Sequence, residues 1–199
     1  MKYSDLYKKL SRHRLFVFSS RDLARLFPKE SPATIKVQVH HWKKKGWLKA
    51  LRRGIYKIAY PEEKEIPDLY IANRLYEPSY VSLETVLSMY SLIPEVAMGV
   101  TSITTRPTRS FGAFIYRTVK PHAFVGYRII RENGFEVRVA EPEKALVDYL
   151  YLKLRRKEEI SERFEKLSLK RLNKAKLQSY ARLFPGKIKE ALKKIYAEL

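Results

Sequence analysis

Apolar residues recur at helical spacing in residues 1–30, and they predict two short helices. The first covers residues 4–11, and the second covers residues 21–27 behind the hydroxyls of Ser19 and Ser20. A short apolar run, 16–18, separates them. The residues that we assign to the core from this spacing are Leu6, Tyr7, Leu10, Leu23, Leu26 and Phe27.

The clearest helix signal lies between Ser31 and Gly46. Ser31 supplies a capping hydroxyl, the next residue is a proline suited to the first helical position, and Gly46 is the expected left-handed stop. We therefore predict a helix over residues 32–45. Its core face carries Ile35, Val39 and Trp42, and the opposite face with its flanks carries Thr34, Lys36, Val37, Gln38, His40, His41, Lys43 and Lys44.

A β-hairpin is predicted directly after this helix. Two short β-branched and apolar runs, 47–51 and 55–58, flank Arg52, Arg53 and Gly54. Helix, short helix, basic helix and hairpin within sixty residues are typical of a winged helix, whose last helix enters a DNA major groove. The DNA-binding residues that this interpretation predicts are Ser31, Thr34, Lys36, Val37, Gln38, His40, His41, Lys43, Lys44, Lys45, Arg52 and Arg53. A solvated lysine-rich surface and an ordinary hairpin are the alternatives.

The remainder of the chain alternates helical and strand patterns. We predict a winged-helix domain over 1–60, a proline-bounded acidic linker over 61–67, a mixed α/β domain over 68–155 and a basic helical tail over 156–199 that packs on it. Asp68 and Ser82 are the expected caps of helices 68–76 and 83–92. Strands are expected over 100–105, 114–119, 124–130 and 136–140, followed by a helix over 142–154. The fold class is therefore α+β.

Charge is distributed by segment along the chain. The 199 residues carry a formal net charge of +20, of which residues 1–60 contribute +13, residues 61–150 contribute −2 and residues 151–199 contribute +9. A basic first segment fits contact with a nucleic acid. The basic tail leaves open a role in packing, in dimerisation or in further DNA contact. The scarcity of Asn and Gln beside abundant Lys, Arg and Glu is typical of a thermophile's protein.

Several classes of protein are excluded or disfavoured. The chain has no cysteine, which excludes disulfides, cysteine-ligated metal centres and a cysteine nucleophile. It lacks a phosphate-binding loop, an H-E-x-x-H pair and a nucleophile elbow, so we expect no enzyme and no cofactor. A metal-dependent nuclease using Glu136, Glu141, Glu143 and Lys144 is the alternative. No apolar run approaches a membrane span or a signal peptide, so we expect a cytoplasmic protein that binds no membrane.

An ordered series of short motifs resembles one known family. These are Arg53-Gly54-Ile55-Tyr56, Tyr70-Ile71-Ala72-Asn73-Arg74-Leu75, Tyr80-Val81-Ser82-Leu83-Glu84-Thr85-Val86-Leu87, Tyr90-Ser91-Leu92-Ile93-Pro94-Glu95, Thr101-Ser102-Ile103-Thr104-Thr105-Arg106 and Ala140-Glu141-Pro142-Glu143-Lys144-Ala145-Leu146-Val147-Asp148. Over about residues 15–155 the series resembles the AbiEi-type antitoxins of abortive-infection toxin–antitoxin systems.

The resemblance implies an N-terminal winged helix joined to an AbiEi-type domain. It implies a repressor that binds inverted repeats in its own promoter, and inverted repeats imply a homodimer on double-stranded DNA. It also implies a functional partner, a nucleotidyltransferase-like toxin. Some members of such families act as stand-alone regulators without a toxin, and that alternative stays open.

Overall fold

The computed structural model describes residues 1–61, 65–158 and 164–197, which form an α+β fold. We refer to these three ranges as the N-terminal unit, the central unit and the tail. The linker prediction falls partly on residues 62–64, and the tail prediction partly on residues 159–163 and 198–199, all of which lie outside the described residues. Within the described ranges, no helix combines the length and the apolar character needed to cross a membrane.

The N-terminal unit contains three helices and a small antiparallel sheet. Its elements are α1 (Tyr3–Arg12), β1 (Val17–Ser19), α2 (Ser20–Leu26), α3 (Pro32–Lys44), β2 (Leu48–Arg52) and β3 (Ile55–Ile58). The sheet has the order β1-β3-β2, with Val17 opposite Lys57 and Leu48 opposite Ile58. Ser19 caps α2 as expected, because its hydroxyl accepts a hydrogen bond from the backbone N–H of Asp22 at 3.1 Å. The apolar run 16–18 therefore becomes the third strand of the sheet that holds the hairpin.

The central unit is built on a six-stranded mixed sheet. Its elements are α4 (Asp68–Leu75), β4 (Ser79–Val81), α5 (Glu84–Met89), β5 (Val100–Thr104), β6 (Arg109–Phe111), β7 (Phe114–Thr118), a 3-10 turn (Pro121–Ala123), β8 (Tyr127–Glu132), β9 (Phe135–Ala140) and α6 (Pro142–Arg156). The strand order is β6-β7-β5-β4-β9-β8, with β6 and β8 at the two edges. The pairs β4–β9 and β5–β7 are parallel, and the other neighbours are antiparallel.

Two capping predictions in the central unit are wrong. Helix α4 is preceded by Pro67, so Asp68 is its first helical residue and not its cap. Ser82 does not cap α5, since its hydroxyl instead donates to the carboxylate of Asp148 at 3.1 Å. Leu83 occupies the cap position of α5 with a φ of 60°, a backbone conformation that leucine rarely adopts. The Ser82 hydroxyl is therefore used as a hydrogen-bond donor to the buried Asp148 carboxylate, and it is not available to cap α5.

Packing joins the N-terminal unit to the central unit mainly through α4. The Arg74 guanidinium lies 3.1 Å from a carboxylate oxygen of Asp22 and donates to the Val17 carbonyl at 3.2 Å. The Tyr70 hydroxyl donates to the Arg14 carbonyl at 2.9 Å. The ring of Phe135 from β9 lies 4.8 Å from the Tyr70 ring, so aromatic packing continues from the sheet into this contact. One hydrophobic core spans both units.

The tail packs against α6. Its helices are α7 (Lys166–Lys170), α8 (Lys174–Ala181) and α9 (Lys187–Ala197). Asn173 caps α8, since its side-chain oxygen accepts from the backbone N–H groups of two following residues at 3.0 and 3.1 Å. The rings of Tyr151 on α6 and Phe184 after α8 lie 4.4 Å apart. Both longer tail helices are packed through apolar residues, which are Leu177 and Ala181 on α8 and Ile188, Ala191 and Leu192 on α9.

Candidate nucleic-acid interface

Helix α3 begins at a capping serine. The Ser31 hydroxyl oxygen accepts a hydrogen bond from the Thr34 backbone N–H at 3.1 Å and lies 2.9 Å from the Thr34 hydroxyl. Pro32 follows at the first helical position, where its missing N–H leaves no helical hydrogen bond unmade. At the other end Lys45 is the C-cap and Gly46 has a φ of 73°. The sequence signals at both ends of α3 are confirmed.

One side of α3 is fixed by burial against its own unit. Ile35, Val39 and Trp42 are buried, as their spacing predicts, and they face α2 and β2. The ring of Tyr3 from α1 meets the ring of Trp42 edge-on, with 5.4 Å between centroids. Because the buried side is apolar and wedged between three elements, the polar side of α3 must face outward.

The predicted contact residues on α3 lie on the outward side. Val37 has 66% of its surface exposed, and an apolar side chain at such a position suits contact with a thymine methyl group. The ammonium group of Lys45 lies 4.7 Å from the centre of the Trp47 ring, so this lysine is held against the end of the helix. Ser31, Lys36, His40, His41, Lys43, Lys44 and Lys45 are also exposed, and Thr34 and Gln38 are half-buried.

Gly54 forms the tip of the β2–β3 hairpin with a φ of 80°. A Cβ atom placed there would touch nothing within 4 Å, so the requirement for glycine is the left-handed backbone and not space. Arg53 beside it is exposed. The hairpin therefore presents one of the two predicted arginines to solvent.

Arg52 is not at the exposed tip, contrary to prediction. Its Nε donates to the Leu75 carbonyl at 2.8 Å, and its guanidinium carbon lies 5.3 Å from the centre of the Phe111 ring and 5.9 Å from that of Tyr76. Burial, and then the nearby charge of Arg106, lower the pKa of Arg52 from its usual value. The irregular pairing between β2 and β3 around Ala50 and Arg52 accompanies this inward turn. Arg52 thus connects the hairpin to the central unit.

A buried polar cluster in the central unit was missed by sequence reasoning. Lys144 and Asp148 sit one turn apart on α6, both with 0% of their side chains exposed, and they form an ion pair. Asp148 also accepts from the hydroxyls of Tyr80 at 2.9 Å and Ser82 at 3.1 Å, and the Lys144 ammonium donates to the Tyr80 hydroxyl at 3.1 Å. The available signal was a lysine and an acid four residues apart, with the acid inside the otherwise apolar stretch 145–152 of this helix.

Two of the three carboxylates considered for a nuclease, Glu141 and Glu143, are engaged by the tail, whereas Glu136 on β9 lies 3.8 Å from Arg131 on β8. Glu141 accepts from the Tyr180 hydroxyl at 2.7 Å and from the Lys176 ammonium at 2.8 Å. Burial raises the pKa of Glu141, but these hydrogen bonds outweigh it and hold the pKa below its usual value. Glu143 accepts from the Asn173 backbone N–H at 2.9 Å. In the described ranges no three acidic or histidine side chains are grouped to hold a metal.

Comparison with known proteins gives a likeness in three dimensions. No protein-family model matches the chain, and no curated protein matches it. The crystal structure of the RV2827C protein from Mycobacterium tuberculosis is similar, with a TM-score of 0.59 and 13% sequence identity over 93% of this chain and 72% of that chain. At this identity the similarity shows a shared α+β fold across both units and nothing about activity.

Proposed function

We propose that the protein is a DNA-binding transcriptional repressor that reads its operator with α3. The order of elements in the N-terminal unit, three helices followed by an antiparallel hairpin, supports a winged helix. The observation that carries the proposal is the outward side of α3, which is exposed and contains no acidic residue. It offers lysines, histidines and one amide around the exposed Val37.

The mechanism divides contacts between the DNA backbone and the bases. Lys36, Lys43 and Lys44 neutralise phosphates and set the orientation of α3, while Gln38 and His41 reach base edges in the major groove. Arg53 at the hairpin tip contacts the backbone or the adjacent minor groove. Recognition of inverted repeats then requires two copies with α3 helices spaced by about one helical turn of DNA.

The antitoxin part of the proposal depends on the resemblance to AbiEi-type proteins. Under it, the central unit counteracts a nucleotidyltransferase-like toxin in the same operon. A regulator without a toxin partner is the alternative within the same class. Because Glu141, Glu143 and Lys144 have structural partners in the tail and in the core, we do not propose the nuclease function.

Binding to the promoter region upstream of the protein's own gene tests the proposal. The wild-type protein should bind this duplex about 10³-fold or more tightly than a scrambled duplex of equal length. Replacing Gln38, His41 and Lys44 together by alanine should bring that ratio close to one, since both base contacts are lost together with a phosphate contact that orients α3. Lys170→Ala, which removes an exposed lysine from α7, is the control and should leave the ratio unchanged.

An unchanged ratio in the triple variant would refute the assignment of α3 as the reading helix. Equal binding of the wild-type protein to both duplexes would refute a repressor at this promoter. The antitoxin function has its own assay, which is growth rescue on co-expression with the neighbouring gene. The triple variant should still rescue growth, because its substitutions leave the central unit intact.

A further inference from the structure

Three arginines converge where the hairpin meets the edge of the central sheet. The guanidinium carbon of Arg106 lies 4.6 Å from the centre of the Tyr76 ring, and that of Arg52 lies 5.9 Å from the same ring. Arg52 also lies 5.3 Å from the Phe111 ring on β6. Arg109 is two residues before Phe111 on this strand, so both side chains are on one face of β6. We call Arg52, Arg106 and Arg109 the arginine cluster.

The surroundings of the arginine cluster are rigidly held. The Tyr76 and Phe111 rings pack edge-on with 5.6 Å between centroids, and the Tyr76 hydroxyl donates to the Pro107 carbonyl at 3.1 Å. The backbone around Arg106 is fixed at both ends, since its N–H donates to the Thr104 hydroxyl at 3.1 Å and its carbonyl accepts from the Thr118 hydroxyl at 2.6 Å. Stacked guanidinium groups on a fixed aromatic platform lose little further freedom when they bind a ligand.

Within the described ranges, the arginine cluster has no carboxylate partner. The Glu77 carboxylate is bound by Arg74 at 2.8 Å, and Arg106 reaches only the Glu77 backbone carbonyl at 3.2 Å. Arg52 donates one hydrogen bond from its Nε to the Leu75 carbonyl and another from a terminal nitrogen to the Arg53 carbonyl at 3.4 Å. Most guanidinium N–H donors of the cluster are therefore unused, and three like charges lie together without compensation.

We propose that the arginine cluster is a phosphate-binding site for the backbone of duplex DNA, flanking the segment contacted by α3. Planar guanidinium groups with paired N–H donors match phosphate oxygens, and an anion relieves the repulsion between the three cations. The site adjoins the exposed Arg53, so the basic surface continues from the hairpin onto the edge strand β6. The central unit thereby adds to the DNA contact. This inference rests on the proposed function.

The test is the salt dependence of binding to a duplex of about 30 base pairs, which reports the number of phosphates contacted. Arg106→Gln and Arg109→Gln remove exposed side chains, so the fold should be retained, as circular dichroism can verify. Arg131→Gln on the opposite edge strand β8, where 73% of the side chain is exposed, is the matched control. The plot of log association constant against log salt concentration has a negative slope. Each cluster substitution should make this slope less negative by about one unit, and the double variant by about two.

The outcomes separate this inference from the proposed function. A reduced slope for the cluster variants beside an unchanged slope for Arg131→Gln would support the site. Equal slopes for all variants, with tight binding by the wild-type protein, would overturn the site and leave the repressor intact. Failure of the wild-type protein to bind any duplex would overturn both. Stabilisation by inorganic phosphate alone, lost in the double variant but without any effect on duplex binding, would identify a small-anion site and overturn the assignment to DNA.

Discussion

Removing the cation of the buried pair on α6 should destabilise the protein severely. Lys144 and Asp148 are both fully buried, and Asp148 takes its hydrogen bonds from Lys144, Tyr80 and Ser82. In Lys144→Met the two hydroxyl donors remain while the compensating charge is lost. A buried charge left without its partner costs about 3–5 kcal/mol, a large part of the ~5–15 kcal/mol that stabilises a typical domain.

The pH dependence of this variant follows from the same cluster. Burial raises the pKa of Asp148, and Lys144 opposes the shift. Without Lys144 the pKa of Asp148 in the folded state rises further above its unfolded value of about 3.9, so the native state binds the additional proton. The stability of Lys144→Met relative to the wild-type protein should then fall as pH rises above about 4, and the loss should be smaller at pH ~5 than at pH ~7.5.

Urea unfolding followed by far-ultraviolet circular dichroism is the appropriate assay. Tryptophan fluorescence is unsuitable because Trp42 and Trp47 both lie in the N-terminal unit, remote in sequence from α6. Arg156→Met is the matched control, since Arg156 pairs with Glu158 at 2.7 Å with half of its side chain exposed. Such a surface pair contributes about 0–1 kcal/mol.

The double variant Lys144→Met/Asp148→Leu completes the test. Because it removes both charges and leaves an apolar pair of similar volume, it should be less destabilised than Lys144→Met alone. Two results would refute the reasoning. One is a loss in Lys144→Met no larger than in Arg156→Met. The other is a stability loss in the double variant equal to the sum of the losses in Lys144→Met and Asp148→Leu. That result would show that the two charges do not interact.

Three further predictions concern local elements. Ser31→Ala should lower the free energy of unfolding by about 1 kcal/mol through loss of the α3 cap, while Ser31→Asp retains it; equal urea midpoints for the two would contradict the cap. Gly54→Ala should cost about 1–2 kcal/mol in thermal unfolding because of its left-handed φ, whereas Gly186→Ala should not. The depressed pKa of Glu141 stabilises the folded state above its unfolded pKa of about 4.3, so the hydrogen-exchange protection factors of α8, which correct for the intrinsic pH dependence of exchange, should fall as pH falls below that value, and pH-independent protection factors would contradict this.

Local signals were sufficient for α3 and the hairpin. A capping serine, a proline and a terminal glycine determine where α3 lies, and each acts through groups within a few residues of itself. The core positions of α3 follow from its spacing alone, because a helix with one apolar stripe can bury only that stripe. For such elements, sequence pattern and tertiary structure agree.

The errors arise where a distant partner overrides a local preference. Ser82 satisfies the cap pattern, but Asp148 on a helix more than sixty residues later takes its hydroxyl. Arg52 follows the pattern of a hairpin tip, but the Leu75 carbonyl and an aromatic platform on β6 hold it inward. Strand β6 itself is only three residues long and was not predicted, because so short a run has no measurable alternation. The arginine cluster depends on that strand and could not be inferred without it.

The contacts of α4 fix the orientation of the N-terminal unit, which carries α3 and the hairpin, relative to the central unit, which carries Arg106 and Arg109. Tyr70 and Arg74 on α4 donate hydrogen bonds to backbone carbonyls of the N-terminal unit. The Leu75 carbonyl accepts a hydrogen bond from Arg52 of the hairpin. If the protein binds DNA as proposed, a free hinge would require the central unit to be ordered on each encounter, at an entropic cost. The α4 contacts set the orientation of the hairpin relative to the central unit without a ligand. The inward turn of Arg52, which removes one charge from the hairpin tip, is therefore also what attaches the hairpin to the aromatic rings of the arginine cluster.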